Sequence, residues 1–200
     1  MENVIQKGYL NDISRGPFRN IFEDFLSDVK FKDSNVVDLG PGQYDFSVLA
    51  RERGASGWGL DKDPAVLALG AYKGFTVRDV NLHHLHKEKF DIKFDGLFCK
   101  FSWNAFWHRN DDETHIEAVE YLGKMITDDA WIWVAPWNGV PVADNLSEDR
   151  VKEIADLQSK LFSELGCQQH DLTEEEKRRY GVTYTTVANH VVFTRNLTRK

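Results

Sequence analysis

Apolar residues along this chain alternate between two rhythms, short unbroken runs and stripes at helical spacing. Phe18, Ile21, Phe22 and Phe25 recur at helical spacing in "PFRNIFEDFLSDV" and predict an amphipathic helix near the N-terminus. "NVVDL" then reads as a first strand, and "YDFSVLARERG" as a helix closed by Gly54. "SGWGLD" is a second strand. "DPAVLALGAYKG" follows as a helix, with Asp63 at its N-cap and Pro64 at its first position. "FTVRDV" is a third strand, and "FDGLFCKF" a fourth, apolar on both faces as a central parallel strand must be.

The second half keeps the alternation. Ile116, Val119, Tyr121, Leu122, Met125 and Ile126 stripe one helix, and "AWIWVAP" is a fifth buried strand. "SEDRVKEIADLQSKLFSELG" is the longest helix, capped by Ser147 and ended by Gly166. "CQQHDL" and "TYTTVANHVVFTR" are β-rich and separated by the charged "TEEEKRRYG". Strand–helix alternation closed by a terminal β pair predicts an α/β fold, a doubly wound, mostly parallel sheet with an antiparallel C-terminal edge strand and helices on both faces.

Composition narrows the class. A chain of 200 residues with 42% hydrophobic content can bury one core, so the expectation is a single domain, 1–34 as an N-terminal helical arm and 35–200 as the core. The formal net charge of −7 supplies no excess cation to neutralise phosphates, which argues against nucleic acid or an anionic membrane surface as partner. Cys99 and Cys167 fall in separate strands and read as buried free thiols. No apolar stretch approaches the ~20 residues that cross a bilayer. The chain reads as cytoplasmic, monomeric or homodimeric.

In such a sheet, ligands bind beyond the carboxyl ends of the strands, where strand order reverses. The loops there carry Asp38, Gly40, Pro41 and Gly42; then Asp61 and Lys62; then Asp79, Val80 and Asn81; then Lys100, Phe101, Ser102 and Trp103. Glycines let backbone approach a ligand closely. Asp61 suits a bidentate grip on two ribose hydroxyls, Asp79 suits an exocyclic adenine amine, and Val80 suits the face of the ring. A pyrophosphate fits poorly, because the dinucleotide fingerprint wants glycine where Asp45 stands and Asp38 would repel it. A cationic ligand with an adenosine end fits better, with Asp38 toward an amino group or sulfonium. Tyr44 either shields the ligand or packs under the helix.

Across residues 34 to 195 the chain resembles the class I S-adenosylmethionine-dependent methyltransferases, which are Rossmann-like and seven-stranded. "DLGPG" is similar to the family's first motif, Asp61 in "GLDKDP" to its ribose-binding acid, and Asp79 in "RDVN" to its acid near the adenine. The resemblance implies S-adenosyl-L-methionine as cofactor, held by Asp38, Gly40, Pro41, Gly42, Asp61, Lys62, Asp79, Val80 and Lys100. It also implies that the N-terminal segment folds over the cofactor, with Arg15 on the methionine carboxylate and Tyr9 toward substrate. Trp103, Phe106 and Trp107 follow the fourth strand, where the family places its acceptor, and Pro136, Trp137 and Asn138 would line the far side.

The expected activity is O- or N-methylation of a small molecule, with His108 as the candidate general base if the acceptor must lose a proton. "KFSW" stands where methyltransferases of nucleic-acid bases carry an Asn-Pro-Pro-Tyr-type stretch, which weakens that substrate class. A non-catalytic module binding S-adenosylmethionine with the same fold is the competing reading. A nicotinamide-dependent reductase is a third, weakened by the incomplete glycine fingerprint. His83, His84 and His86 cannot share one helical face and read as solvated rather than metal ligands, so no metal is expected.

Overall fold

The computed structural model describes residues 12–103, 112–135, 147–184, 187–188 and 191–200. The first helix, α1 (Asp12–Asp24), begins upstream of the expected stretch and carries Pro17 inside it. Most of its apolar stripe is used: Ile21, Phe22 and, just past its end, Phe25 are buried, Phe18 is half-buried, and Phe22 stacks on Phe46 at 5.2 Å. The helical part of the expected arm is therefore built into the core.

The core strands fall where the apolar runs put them: β1 (Asn35–Leu39), β2 (Ser56–Asp61), β3 (Thr76–Asp79), β4 (Phe94–Lys100) and β5 (Ile126–Ala135). Between them run α2 (Asp45–Glu52), α3 (Pro64–Tyr72), a 3-10 segment (Leu82–Lys87) and α4 (Asp112–Met125). Then come α5 (Glu148–Glu164), β6 (Gln168–Asp171), α6 (Glu174–Arg179), β7 (Thr183–Tyr184), β8 (Val187–Ala188) and β9 (Val191–Arg195). The caps behave as their side chains dictate. Asp63 accepts from the Ala65 N–H at 2.8 Å, and Ser147 accepts from the Arg150 N–H at 3.2 Å.

Seven strands form one sheet in the order β3-β2-β1-β4-β5-β9-β6. The first five are mutually parallel, and β9 runs antiparallel to both its neighbours. The C-terminal strand is antiparallel as expected, but it lies one place in from the edge, which β6 forms. Strand order reverses between β1 and β4, so the switch point lies above Leu39 and Lys100. Two cores flank the sheet. One gathers Val37, Leu97, Leu122 and Phe162 on the α4–α5 side; the other gathers Phe22, Phe46, Phe98 and Trp133 on the α1–α2 side.

Two further details depart from the sequence reading. The charged "TEEEKRRYG" stretch folds as α6, held by a capping box in which Thr173 and Glu176 exchange hydrogen bonds. "TYTTVANHVVFTR" is divided into the β7–β8 pair and β9. Both cysteines are buried and free, Cys99 within β4 and Cys167 just before β6.

Candidate functional site

The loop after β1 is wound by three left-handed residues, Gly40 (φ 67°), Gly42 (φ 52°) and Tyr44 (φ 63°). The Gly40 N–H donates to the Leu60 carbonyl at 2.8 Å, and the Tyr44 N–H to the Pro41 carbonyl at 2.8 Å. These bonds close the turn and start α2. At Gly40 the absence of a side chain is obligatory for a second reason: a Cβ there would overlap the Ser102 hydroxyl and its Cβ. Ser102 in turn donates to the Gly40 carbonyl at 3.1 Å, tying the β4 loop to the β1 loop across the switch point.

Tyr44 resolves as a packing residue. It is wholly buried and stacks on Phe75 with ring centroids 5.2 Å apart at 7°. A Cβ on Gly59 or Gly70 would strike its ring, so those two glycines make its berth. Its hydroxyl is buried without a hydrogen-bond partner among the described residues.

A cleft of about 180 Å³ opens above the strand ends. Asp61 and Lys62 form one wall, Val80, Asn81 and Leu82 the floor and second wall, and Gly40 with Ser102 the third. Asp61 is positioned by the Asp63 N–H, which donates to its Oδ1 at 2.9 Å. Burial raises the Asp61 pKa, against the opposing bonds from the Asp63 and Lys62 backbones. The Val80 N–H donates to the Asp61 carbonyl at 2.9 Å, fixing floor to wall.

Asp38 lies beneath this loop, 3% exposed, and accepts one hydrogen bond from Ser47 Oγ at 2.8 Å. Burial pushes its carboxyl up to about 7; the Ser47 bond opposes this, and the nearby Asp61 and Asp45 charges add to it. Among the described residues no cation pairs with it.

Not every expected residue gathers at the cleft. Pro41 and Gly42 shape the turn without lining it. Asp79 is exposed at the end of β3, register partner of Asp61 but outside the lining set. Arg15 pairs with Asp45 at 3.3 Å. Lys100 lies on the α1 side, its ammonium 4.4 Å from the Phe18 ring. Trp103 is corrected outright as a wall for an acceptor. It is wholly buried, packs edge-on against Phe162 at 5.6 Å, and donates from Nε1 to His115 Nε2 at 3.4 Å. Burial holds His115 down to about 4, so it accepts that bond as a neutral ring. Tyr9, Phe106, Trp107, His108, Pro136, Trp137 and Asn138 lie outside the described residues.

Asn81, Leu82 and Ser102 line the cleft although residue type alone did not single them out. Their signal was positional: each follows a strand at the switch point. His83, His84 and His86 sit in the 3-10 segment, with His86 paired to Glu117 at 3.2 Å. Among the described residues no cluster of potential metal ligands occurs, and no helix is long and apolar enough to cross a membrane.

No protein-family model and no curated protein matches the chain. Solved structures do. A sugar N-methyltransferase from Streptoalloteichus aligns over 100% of this chain and 93% of its own, with TM-score 0.61 and 13% identity. An amino pentose methyltransferase from Micromonospora echinaspora, with S-adenosylmethionine bound, aligns over 100% and 94%, with TM-score 0.58 and 13% identity. Magnesium protoporphyrin IX methyltransferase from Synechocystis, with S-adenosylhomocysteine bound, covers 97% and 92%, with TM-score 0.58 and 14% identity. At these identities the likeness is one of architecture, and this chain has the Rossmann-like fold of the class I S-adenosylmethionine-dependent methyltransferases.

Proposed function

We propose that the protein is an S-adenosyl-L-methionine-dependent methyltransferase acting on a small-molecule acceptor at oxygen or nitrogen. The observation that carries this reading is the switch-point cleft, in which one carboxylate (Asp61), one apolar floor residue (Val80) and one side-chain-free approach (Gly40) converge. Those three surfaces match a ribose, an adenine face and the start of the methionine arm. The solved structures with S-adenosylmethionine or S-adenosylhomocysteine bound support the same ligand. A second observation fits the ligand's cationic end: the buried Asp38 has no cation beside it among the described residues, and a nearby ammonium or sulfonium would relieve the cost of its ionisation.

The bound cofactor would supply an activated methyl group on a sulfonium. The chain's own work is to position and to exclude water. Asp61, already oriented by the Asp63 N–H, keeps carboxylate oxygen for ribose hydroxyls. Lys62 lines the cleft, and Asp79, exposed just outside the lining residues, is left for the adenine amine. Pro41 and Gly42 hold the loop that carries Gly40 past the ligand. Asp38 stays behind that loop, where it favours positive charge without contacting bulk water.

The test is calorimetry with S-adenosylhomocysteine on the wild type and on Asp61→Ala. A hydrogen bond to a charged group contributes about 1.5–3 kcal/mol, so losing even one of the two ribose bonds predicts at least a roughly 10–100-fold weaker complex, with the fold intact by circular dichroism. Unchanged affinity in the variant would remove the ribose role. No binding to the wild type would sink the cofactor itself.

A further inference from the structure

Lys100 is the last residue of β4, two positions from Ser102 in the cleft wall. On β4, Phe98 points into the α1–α2 core and Cys99 into the opposite one, so Lys100 shares the face of Phe98. Asp38 is the register partner of Phe98 on β1, which puts Lys100 one step beyond Asp38 on the same side of the sheet.

The ammonium sits in an aromatic notch, 4.4 Å from the Phe18 centroid and 5.7 Å from that of Phe101. Gly181 closes the notch: a Cβ there would come within 3.3 Å of Lys100 Nζ and 3.0 Å of Pro17. Lys100 is half-buried and makes no hydrogen bond or ion pair with any described residue. The acid whose charge it feels, Asp45, is engaged by Arg15. Burial pulls the amine down to about 8, with Asp45 partly opposing. Two ring faces favour the cationic form over the neutral amine, so the group is a retained, half-buried cation with no counter-ion among the described residues.

We propose that Lys100 is the anchor for a carboxylate on the methyl acceptor, so that the acceptor class is a small acid with a flat apolar body lying against Phe18 and Phe101. This rests on the methyltransferase reading above and narrows its substrate. The aromatic rings supply the apolar contact and the ammonium supplies a charge-assisted bond. A neutral acceptor would leave the cation as poorly solvated as before and gain nothing from it.

The experiment titrates benzoate and its neutral isostere benzamide into the protein saturated with S-adenosylhomocysteine, using wild type, Lys100→Arg and Lys100→Met. The expected result is at least a tenfold preference for benzoate in wild type, kept in Lys100→Arg and abolished in Lys100→Met. Equal binding of the two probes, no binding of either, or an undiminished preference in Lys100→Met overturns the proposal. Should Lys100→Met not fold, the wild-type amine is followed by NMR after reductive ¹³C-methylation. Benzoate then moves its titration to higher pH if the proposal holds, and leaves it in place if it does not. The cofactor reading is scored separately, by whether S-adenosylhomocysteine binds before either probe is added.

Discussion

Replacing Asp38 by Asn should make the ligand-free protein more stable at alkaline pH while weakening its ligand. The carboxyl rises from its ordinary value of 3.8 to about 7 because it is buried. A raised folded-state pKa means that the folded protein holds the proton more tightly than the unfolded chain. The associated stability is complete below pH 3.8 and is lost as pH climbs through 7. At about 1.36 kcal/mol per pH unit between those values, the stability lost relative to acid pH is roughly 2 kcal/mol at pH 5, where the unfolded chain ionises and the folded protein keeps its proton, and roughly 4 kcal/mol at pH 8, where both are ionised.

Asparagine keeps the shape and still offers an oxygen to the Ser47 hydroxyl, which now donates at 2.8 Å, but it never ionises. For a chain of this size, 1 kcal/mol moves Tm by about 2–4 °C, so Asp38→Asn should melt on the order of 10 °C higher at pH 8. At pH 5 the gain should be less than half of that. Thermal melts of both proteins across this pH range give the answer. A gain that is absent, or equal at the two pH values, would refute the reasoning. With S-adenosylmethionine the difference should narrow, since the variant has no charge to meet the ligand's cation.

Three other changes report on the geometry around the loop. Gly40→Ala forces a side chain into a left-handed position and into Ser102, so it should lose about 1–2 kcal/mol from the backbone alone and more from the overlap; Ser102→Gly should restore part of this, and additive melts in the double variant would argue against the contact. Tyr44→Phe removes a buried hydroxyl without a partner and should be neutral or stabilising by up to about 1 kcal/mol in urea unfolding; a clear loss would reveal an unseen partner. Trp103→Ala should cost about 3–5 kcal/mol of stability, because the ring fills the core between Phe162 and His115; a folded variant of wild-type stability would put the indole elsewhere.

Much of the sheet was legible because its central strands, β1, β4 and β5, are largely buried on both faces and the apolar runs are bounded by glycine, proline or aspartate. "SGWGLD" maps onto β2 without adjustment, and Asp63 and Ser147 cap the helices that their side chains predicted. What escaped the sequence is what depends on distant partners. α6 has six charged residues and no apolar stripe, so only the Thr173–Glu176 capping pair announces it. The fate of Tyr44 was set by Gly59 and Gly70, which open a berth from β2 and α3. Trp103 follows a strand end, like Ser102 beside it, yet one turns to the core and the other to the cleft; a single position of register separates them, and residue type does not encode it. The position of the antiparallel strand within the sheet is likewise a matter of pairing between β9, β5 and β6.

The most direct test is a crystal structure with S-adenosylhomocysteine. The account predicts ribose hydroxyls on Asp61, the adenine over Val80, the chain of the ligand passing Gly40, and its amino group toward the Asp38 side of the loop. A ligand bound away from the switch-point cleft, or one in the cleft with its ribose turned from Asp61, would contradict it.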